Sequence, residues 1–388
     1  PTPFPVPYHQ DNPRSDREMT GKTAQAGESG FCQVGSAQPE GVAALRRWLN
    51  RPKMAETGSP ACAGFPRHFP GTEVKMLVYG PIPSRRLRQS IGINHIPPKT
   101  CSYSCTYCQI GRTNHMQIQR QAFYPPEQIL REAEEKLRQL AAEHKTADYF
   151  SFVPDGEPTL DINLGKTIGL LKPLGVKTAV ITNASLLWMD DVKEDLLGAD
   201  WVSVSIDAAD EATWRRIDRP HRGLNHAEVL RGIRDFAAVF RGTLVTETML
   251  AEGVNTAQAC VEGIAEQIAA VKPAKAYLLV PTRPPAETGV TRASAESLRR
   301  AVATVRGVSG ADVECITGNE QEEGFFFTEN IADDILSIAS VHPIREDIID
   351  TLLTKRHADR SVLTGLLQAG RLLPFTYEGK RFYRKNTK

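Results

Sequence analysis

The sequence has no uninterrupted apolar run near the roughly 18 to 20 residues of a membrane-spanning helix, which speaks for a soluble chain. It also lacks an excess of charge of one sign. With 47 basic residues against 46 acidic ones the net charge is +1, so global charge names no partner. No apolar secretory segment opens the chain, and the seven cysteines are odd in number. Both facts argue against a disulfide framework and for a reducing, cytoplasmic setting, where clustered thiols bind metal or do redox work. What is present is ample: 388 residues, 41% of them hydrophobic, allow two or three domains and a large core.

Residues 1–75 are rich in Pro, Gly, Ser and Gln, with one short helical candidate at Val42 to Leu49. That is the composition of a poorly ordered extension. Cys32 and Cys62 fall in it and read as incidental. Met76 opens the first coherent segment, so residues 1–75 read as a loose extension or as lying before the natural start.

From there strands and amphipathic helices alternate. Strands are expected near Ser90 to Ile96, Tyr149 to Val153, Lys177 to Thr182, Trp201 to Ile206, Thr243 to Leu250 and Lys275 to Val280. Between the first two, Ile129, Leu130, Ala133, Leu137 and Leu140 recur at helical spacing after Pro125. The expected fold class is α/β, a parallel sheet with right-handed crossovers over residues 76–325, whose active site would lie at the C-terminal strand ends.

The most informative run is Cys101-Ser102-Tyr103-Ser104-Cys105-Thr106-Tyr107-Cys108. Cys-x3-Cys-x2-Cys offers three thiolates to an iron–sulfur cube and leaves one iron open. Zinc is the alternative, but its structural sites use paired cysteines and four ligands. No second pair follows here; His95, His115, Cys260 or Cys315 would have to be a distant fourth ligand. About fifty residues on, Tyr149-Phe150-Ser151-Phe152-Val153-Pro154-Asp155-Gly156-Glu157-Pro158 reads as a buried strand broken into a loop by Gly and Pro.

Together these motifs resemble the radical S-adenosylmethionine (SAM) superfamily, with Tyr107 as the aromatic residue before the third cysteine. The resemblance implies a partial (β/α)6 barrel, a [4Fe–4S] cluster on Cys101, Cys105 and Cys108, and reductive cleavage of SAM to a 5'-deoxyadenosyl radical. It implies an oxidoreductase fed by an electron donor such as a flavodoxin or ferredoxin. Gly156, Glu157 and Pro158 would seat the SAM amino group; Asp155 stands where the family commonly has Gly.

Polar residues end the later strands: Thr182, Asn183 and Ser185 the third, Ser203, Ser205 and Asp207 the fourth, with Thr246, Glu247 and Thr248 along the fifth. Comparable positions in relatives touch the SAM carboxylate and ribose, which makes Thr182, Asn183, Ser205 and Asp207 candidate cofactor contacts. Helix capping is the ordinary alternative for such residues. Three loops set arginine beside proline, at Pro83 to Arg86, Ile217 to Arg222 and Val280 to Glu287, which suits rigid anion binding on the substrate side. His221 is a possible proton relay, though a lone histidine is more often a bystander.

Residues 326–388 read as three helices and a terminal hairpin turned at Glu378-Gly379-Lys380, resembling a winged helix. Between Lys355 and Lys388 nine Lys or Arg stand against two Asp or Glu, nine minus two giving +7, interleaved with Phe375, Tyr377, Phe382 and Tyr383. Such basicity suits a nucleic-acid backbone, and protein docking is the alternative. Residues 76–325 are similar to the wyosine-synthase-like iron–sulfur oxidoreductases, which often carry the run seen at Gly80 to Arg86. The second cluster or flavin domain of the tRNA-modifying members has no counterpart. The expectation is a radical SAM enzyme acting on RNA or a protein-linked group. A cluster-based iron or redox sensor binding DNA is the rival from another class.

Overall fold

The computed structural model describes residues 77–317, 330–341, 343–377 and 379–386. The expectations for residues 1–75, for Met76 and for the domain boundary near residue 325 lie outside them. Among the described residues no helix is long and apolar enough to cross a membrane.

Strands β1 (Val78–Ser84) and β2 (Arg88–Ile93) form an antiparallel hairpin. Inside the loop after β2, the two-residue strands β3 (Thr100–Cys101) and β4 (His115–Met116) pair with each other. Then β5 (Tyr149–Phe152), β6 (Lys177–Thr182), β7 (Trp201–Ser205), β8 (Thr243–Met249), β9 (Lys275–Leu279) and β10 (Val313–Ile316) join β2, each parallel to the one before and beside it. Helices α1 (Pro126–Ala142), α2 (Leu164–Leu171), α3 (Asp190–Leu196), α4 (Glu211–Ile217), α5 (His226–Val239), α6 (Gln258–Val271) and α7 (Ala295–Ser309) fill the crossovers. Same-handed crossovers between sequence neighbours put the helices on one face and curl the sheet into a partial barrel. The six expected strands are all present. β1 and β10 extend the sheet at its two edges; Pro81 and Pro83 disguise the first, and the second is only four residues long.

Alternation along the strands separates two faces. Val180, Val202, Val204 and Leu278 bury themselves against the helices, each contributing about 1.5–3 kcal/mol. Ala179, Trp201, Val245 and Tyr277 meet Leu87 inside the barrel and fill its floor. That leaves Ser203, Ser205 and Glu247, which share their strands' inward phase, above the floor.

A distinct small helix/strand module follows: α8 (Ile331–Val341), β11 (Ile344–Arg345), α9 (Glu346–Lys355), α10 (Ser361–Gln368), β12 (Leu372–Tyr377) and β13 (Lys380–Lys385), with sheet order β11-β13-β12. Ile335, Ile349, Leu352, Leu363, Leu372 and Tyr383 form its own core. Strand β11 precedes α9, and its Ile344 pairs with Tyr383.

Candidate active site

The cysteine loop hangs between two other strand-end loops. On one side Lys99 N–H donates to the Asp155 carbonyl (2.7 Å) and Glu157 N–H to the Thr100 carbonyl (3.1 Å). On the other, Ser104 N–H donates to the Asp218 carbonyl (3.1 Å), Thr106 N–H to Ile217 (2.8 Å) and His221 N–H to Ser102 (2.8 Å). Tyr103 anchors the middle, buried edge-on to Trp214, whose indole N–H donates to the phenol (3.2 Å). Three segments remote in sequence thus fix where the thiols stand.

Glu157 is 1% exposed, and its carboxylate gathers the ends of β5 and β6. Oε1 accepts from Thr159 N–H (3.0 Å), the Thr159 hydroxyl (2.6 Å) and the Thr182 hydroxyl (2.5 Å). Oε2 accepts from Asn183 N–H (2.8 Å), leaving it capacity for a further donor. Burial raises the Glu157 carboxyl, and these hydrogen bonds oppose the rise. Asn183 Nδ2 reaches the Ser102 hydroxyl (2.9 Å) and lies 3.5 Å from Cys101 Sγ. The N-cap of helix α3 is Met189, with no side-chain cap, so Thr182, Asn183 and Ser185 are not its caps.

Asp207 is likewise no cap, since Asp210 performs that role for α4. Its carboxylate accepts from Met249 N–H (2.7 Å) and from the Tyr107 hydroxyl. Asp218 lies against it. Burial, and then Asp207 itself, raise the Asp218 carboxyl far above the usual range. The Ser205 hydroxyl makes only a long contact with the Thr182 carbonyl (3.5 Å). Asp218 in this site and Arg120 beside it were not singled out from sequence. Arg120 donates to the Thr159 (2.9 Å) and Asp161 (3.0 Å) carbonyls while pairing with Asp191 and Asp195. Neither position carries a sequence signal, because their partners are remote in the chain.

Cys101, Cys105 and Cys108 are half-buried and free, and their charges act on one another. Burial first, then nearby carboxylates and neighbouring thiols, push Cys101 and Cys105 up; burial also raises Cys108, with Lys99 opposing. Thiols crowded in this way among carboxylates ionise readily only onto a cation. Among the described residues no three His, Cys, Asp or Glu side chains converge as the ligands of a single ion would. Three free thiols on one short loop are the soft donor set that an iron–sulfur cluster takes. His95 is buried against the Pro158 carbonyl (3.2 Å), and burial pushes it down to about 4. Cys260 lies by Thr213 and Cys315 on β10. The His221 Nδ1 accepts from Gly223 N–H (3.1 Å) within its own turn.

The radical SAM superfamily's family model matches residues 96–259. UPF0026 protein MJ1312 of Methanocaldococcus jannaschii is 40% identical over 312 residues, covering 80% of this chain and 97% of that protein. The chain belongs to the UPF0026 family of the radical SAM superfamily. UPF0026 protein slr1464 of Synechocystis sp. is 38% identical over 209 residues, 53% of this chain and 76% of that one. Among solved structures, a radical SAM methyltransferase from Sphaerobacter thermophilus is similar at TM-score 0.48 and 16% identity, over 60% of this chain and 67% of that chain. Membership makes the protein an iron–sulfur enzyme of radical SAM chemistry, with SAM and a [4Fe–4S] cluster as cofactors.

Proposed function

We propose that Cys101, Cys105 and Cys108 hold the cluster, and that the protein uses it to modify an RNA substrate docked through the C-terminal module. The bound cluster supplies the electron that cleaves SAM to methionine and a 5'-deoxyadenosyl radical. The observation that carries the reading is the docking of the cysteine loop onto the Asp155 to Glu157 loop, with Glu157 held by Thr159, Thr182 and Asn183. Gly156, Glu157 and Pro158 then seat the SAM ammonium, for which Glu157 Oε2 retains an acceptor site. Thr182 and Asn183 orient that carboxylate. Ser205 faces the ribose or carboxylate of SAM, and Asp207 acts there through Tyr107.

The test uses anaerobically reconstituted protein with dithionite, which should release 5'-deoxyadenosine slowly even without substrate. Glu157→Ala is expected to weaken SAM binding by roughly one to two decades, the worth of a hydrogen bond to a charged group. Iron should stay, because removing Glu157 takes a negative charge away from Cys101 and eases its ionisation. A loaded, reducible cluster that neither binds SAM nor releases 5'-deoxyadenosine would leave the sensor reading in its place.

Support for RNA comes from the C-terminal hairpin. The order helix, strand, two helices, two strands is that of a winged helix, and β12–β13 would be its wing. On one face Phe375 stacks on Phe382 (5.9 Å), Tyr377 meets it edge-on (6.2 Å), and the Arg384 guanidinium lies 5.8 Å from the Phe375 ring. Arg384 bears electrostatically on Lys99, which bears in turn on Cys108, so this basic, aromatic face adjoins the cysteine loop. The Gly80 to Arg86 run adds a likeness to wyosine-type tRNA-modifying enzymes. We place the enzyme in the cytoplasm, reduced by a flavodoxin or ferredoxin. Phe375→Ala with Arg384→Gln should weaken binding to bulk tRNA by about tenfold or more, at one base stack and one phosphate contact, and flatten its salt dependence. Salt-independent binding, or none, would favour protein docking at this face.

A further inference from the structure

The side chain of Asn183 does more than its turn requires. Strand β6 ends at Thr182, and Asn183 Oδ1 accepts from Ser185 N–H two residues on (3.0 Å), a turn that aspartate closes as readily. That bond also fixes which way the amide faces, because a main-chain N–H only donates and so must meet the oxygen. Nδ2 is thereby turned the other way, toward the Ser102 hydroxyl (2.9 Å) and Cys101 Sγ (3.5 Å). Ser102 in turn shares a hydrogen bond with the Ser185 hydroxyl (2.6 Å). Both serines are buried, so the amide is held by partners that water does not displace.

Two N–H groups therefore address one sulfur, Asn183 Nδ2 and Tyr103 N, each at 3.5 Å. Sulfur is a weak acceptor as a thiol and a stronger one as a thiolate, because ionised acceptors make the stronger hydrogen bonds. One electron added to a cluster leaves more negative charge on its sulfurs, so a donor aimed at a ligand sulfur favours the reduced form. Hydrogen bonds to the sulfurs are one of the levers by which a protein sets a cluster's potential. The Tyr103 N–H is supplied by the main chain whatever the side chain there. The second donor depends on residue 183, where aspartate in the same turn would present an oxygen instead. Asn183 also gives its main-chain N–H to Glu157 Oε2 (2.8 Å), so one residue joins that carboxylate to Cys101.

We infer that Asn183 is a positioning residue for electron uptake: its amide, locked by Ser185 and Ser102, donates to Cys101 and raises the reduction potential of the cluster held there. The inference rests on the placing of the cluster on Cys101 proposed above. The full chain is reconstituted anaerobically and titrated with dithionite and redox mediators in the absence of SAM, one electron entering the cluster and no bond breaking. The midpoint potential is read from the loaded fraction. Asn183→Asp keeps the turn and sets an anion where the donor stood, so it should lower the ratio of reduced to oxidised cluster at a given potential by about tenfold or more, or 59 mV for a one-electron couple. Asn183→Ala removes the donor without adding charge and should act in the same direction by less. Ser185→Ala takes a hydroxyl from the same network but keeps the main-chain N–H that orients the amide, and should leave the potential where it is. Asn183→Asp decides the matter if Asn183→Ala loosens the turn. An unchanged potential in Asn183→Asp, or a shift in Ser185→Ala as large as in Asn183→Ala, overturns the inference alone. A wild type that takes up no cluster would overturn the placing on Cys101 and the inference with it.

Discussion

Cys105→Ala is expected to take up no stable cluster and to release no detectable 5'-deoxyadenosine, while folding as the wild-type apoprotein does. The thiol is half-buried at the edge of the core, so losing one sulfur costs roughly 1 kcal/mol of packing, too little to unfold a domain of this size. Its chemical loss is larger. Two remaining thiols leave a second iron without a protein ligand, in a site where burial and carboxylates already oppose ionisation. Because the raised thiols must shed protons to ligate, iron loading of the wild type should strengthen as pH rises. Loading should also raise its melting temperature, as any ligand bound only by the native state does. In Cys105→Ala both responses should vanish; in Cys260→Ala, whose sulfur sits by Thr213, both should persist. Iron and sulfide assays after anaerobic reconstitution check this. Wild-type iron content in Cys105→Ala, or stoichiometric zinc in anaerobically purified wild type, would remove the cluster from these cysteines.

The barrel was legible because buried parallel strands are written as short β-branched runs, and β6 was bounded correctly at Lys177 and Thr182. β1 was not, since Pro81 and Pro83 mark an edge strand with an irregular register, which reads as a loop. The cysteine spacing and Gly156-Glu157-Pro158 are local and stood out. What binds them is not local. Tyr107 meets Asp207 one hundred residues on and lies 3.5 Å from Asp218 111 residues on, and no periodicity announces such partners. Sequence also left Thr182 and Asn183 balanced between capping and function. The start of α3 at Asp190, well past both, frees their side chains for Glu157 and Ser102.

Gly156→Ala is expected to be nearly as damaging as loss of a cysteine, though it removes no functional group. A Cβ at Gly156 would stand 1.9 Å from the Thr100 carbonyl oxygen and 2.9 Å from its carbon, and backbone cannot swing aside as a flexible side chain can. The backbone angle is not the obstacle, since Gly156 is not among the positive-φ residues. The methyl would force apart the two strands of chain joined by Lys99 N–H to Asp155 and Glu157 N–H to Thr100, immediately before Cys101. Overpacking of this kind costs about 1–3 kcal/mol, and each ruptured hydrogen bond about 1 more. The functional effect should exceed the loss of stability, because Glu157 and Cys101 are the groups displaced. A shift near 1 Å in such a site lowers rates by about a hundredfold. Gly169→Ala is the matched control: it lies within α2 with nothing within 4 Å of the added carbon, and should be neutral or stabilising by up to about 1 kcal/mol. Urea unfolding and 5'-deoxyadenosine release, measured side by side, check both. Wild-type turnover and stability in Gly156→Ala would mean that the cysteine loop does not rest on the Gly-Glu-Pro loop, and the SAM site built on that contact would fall with it.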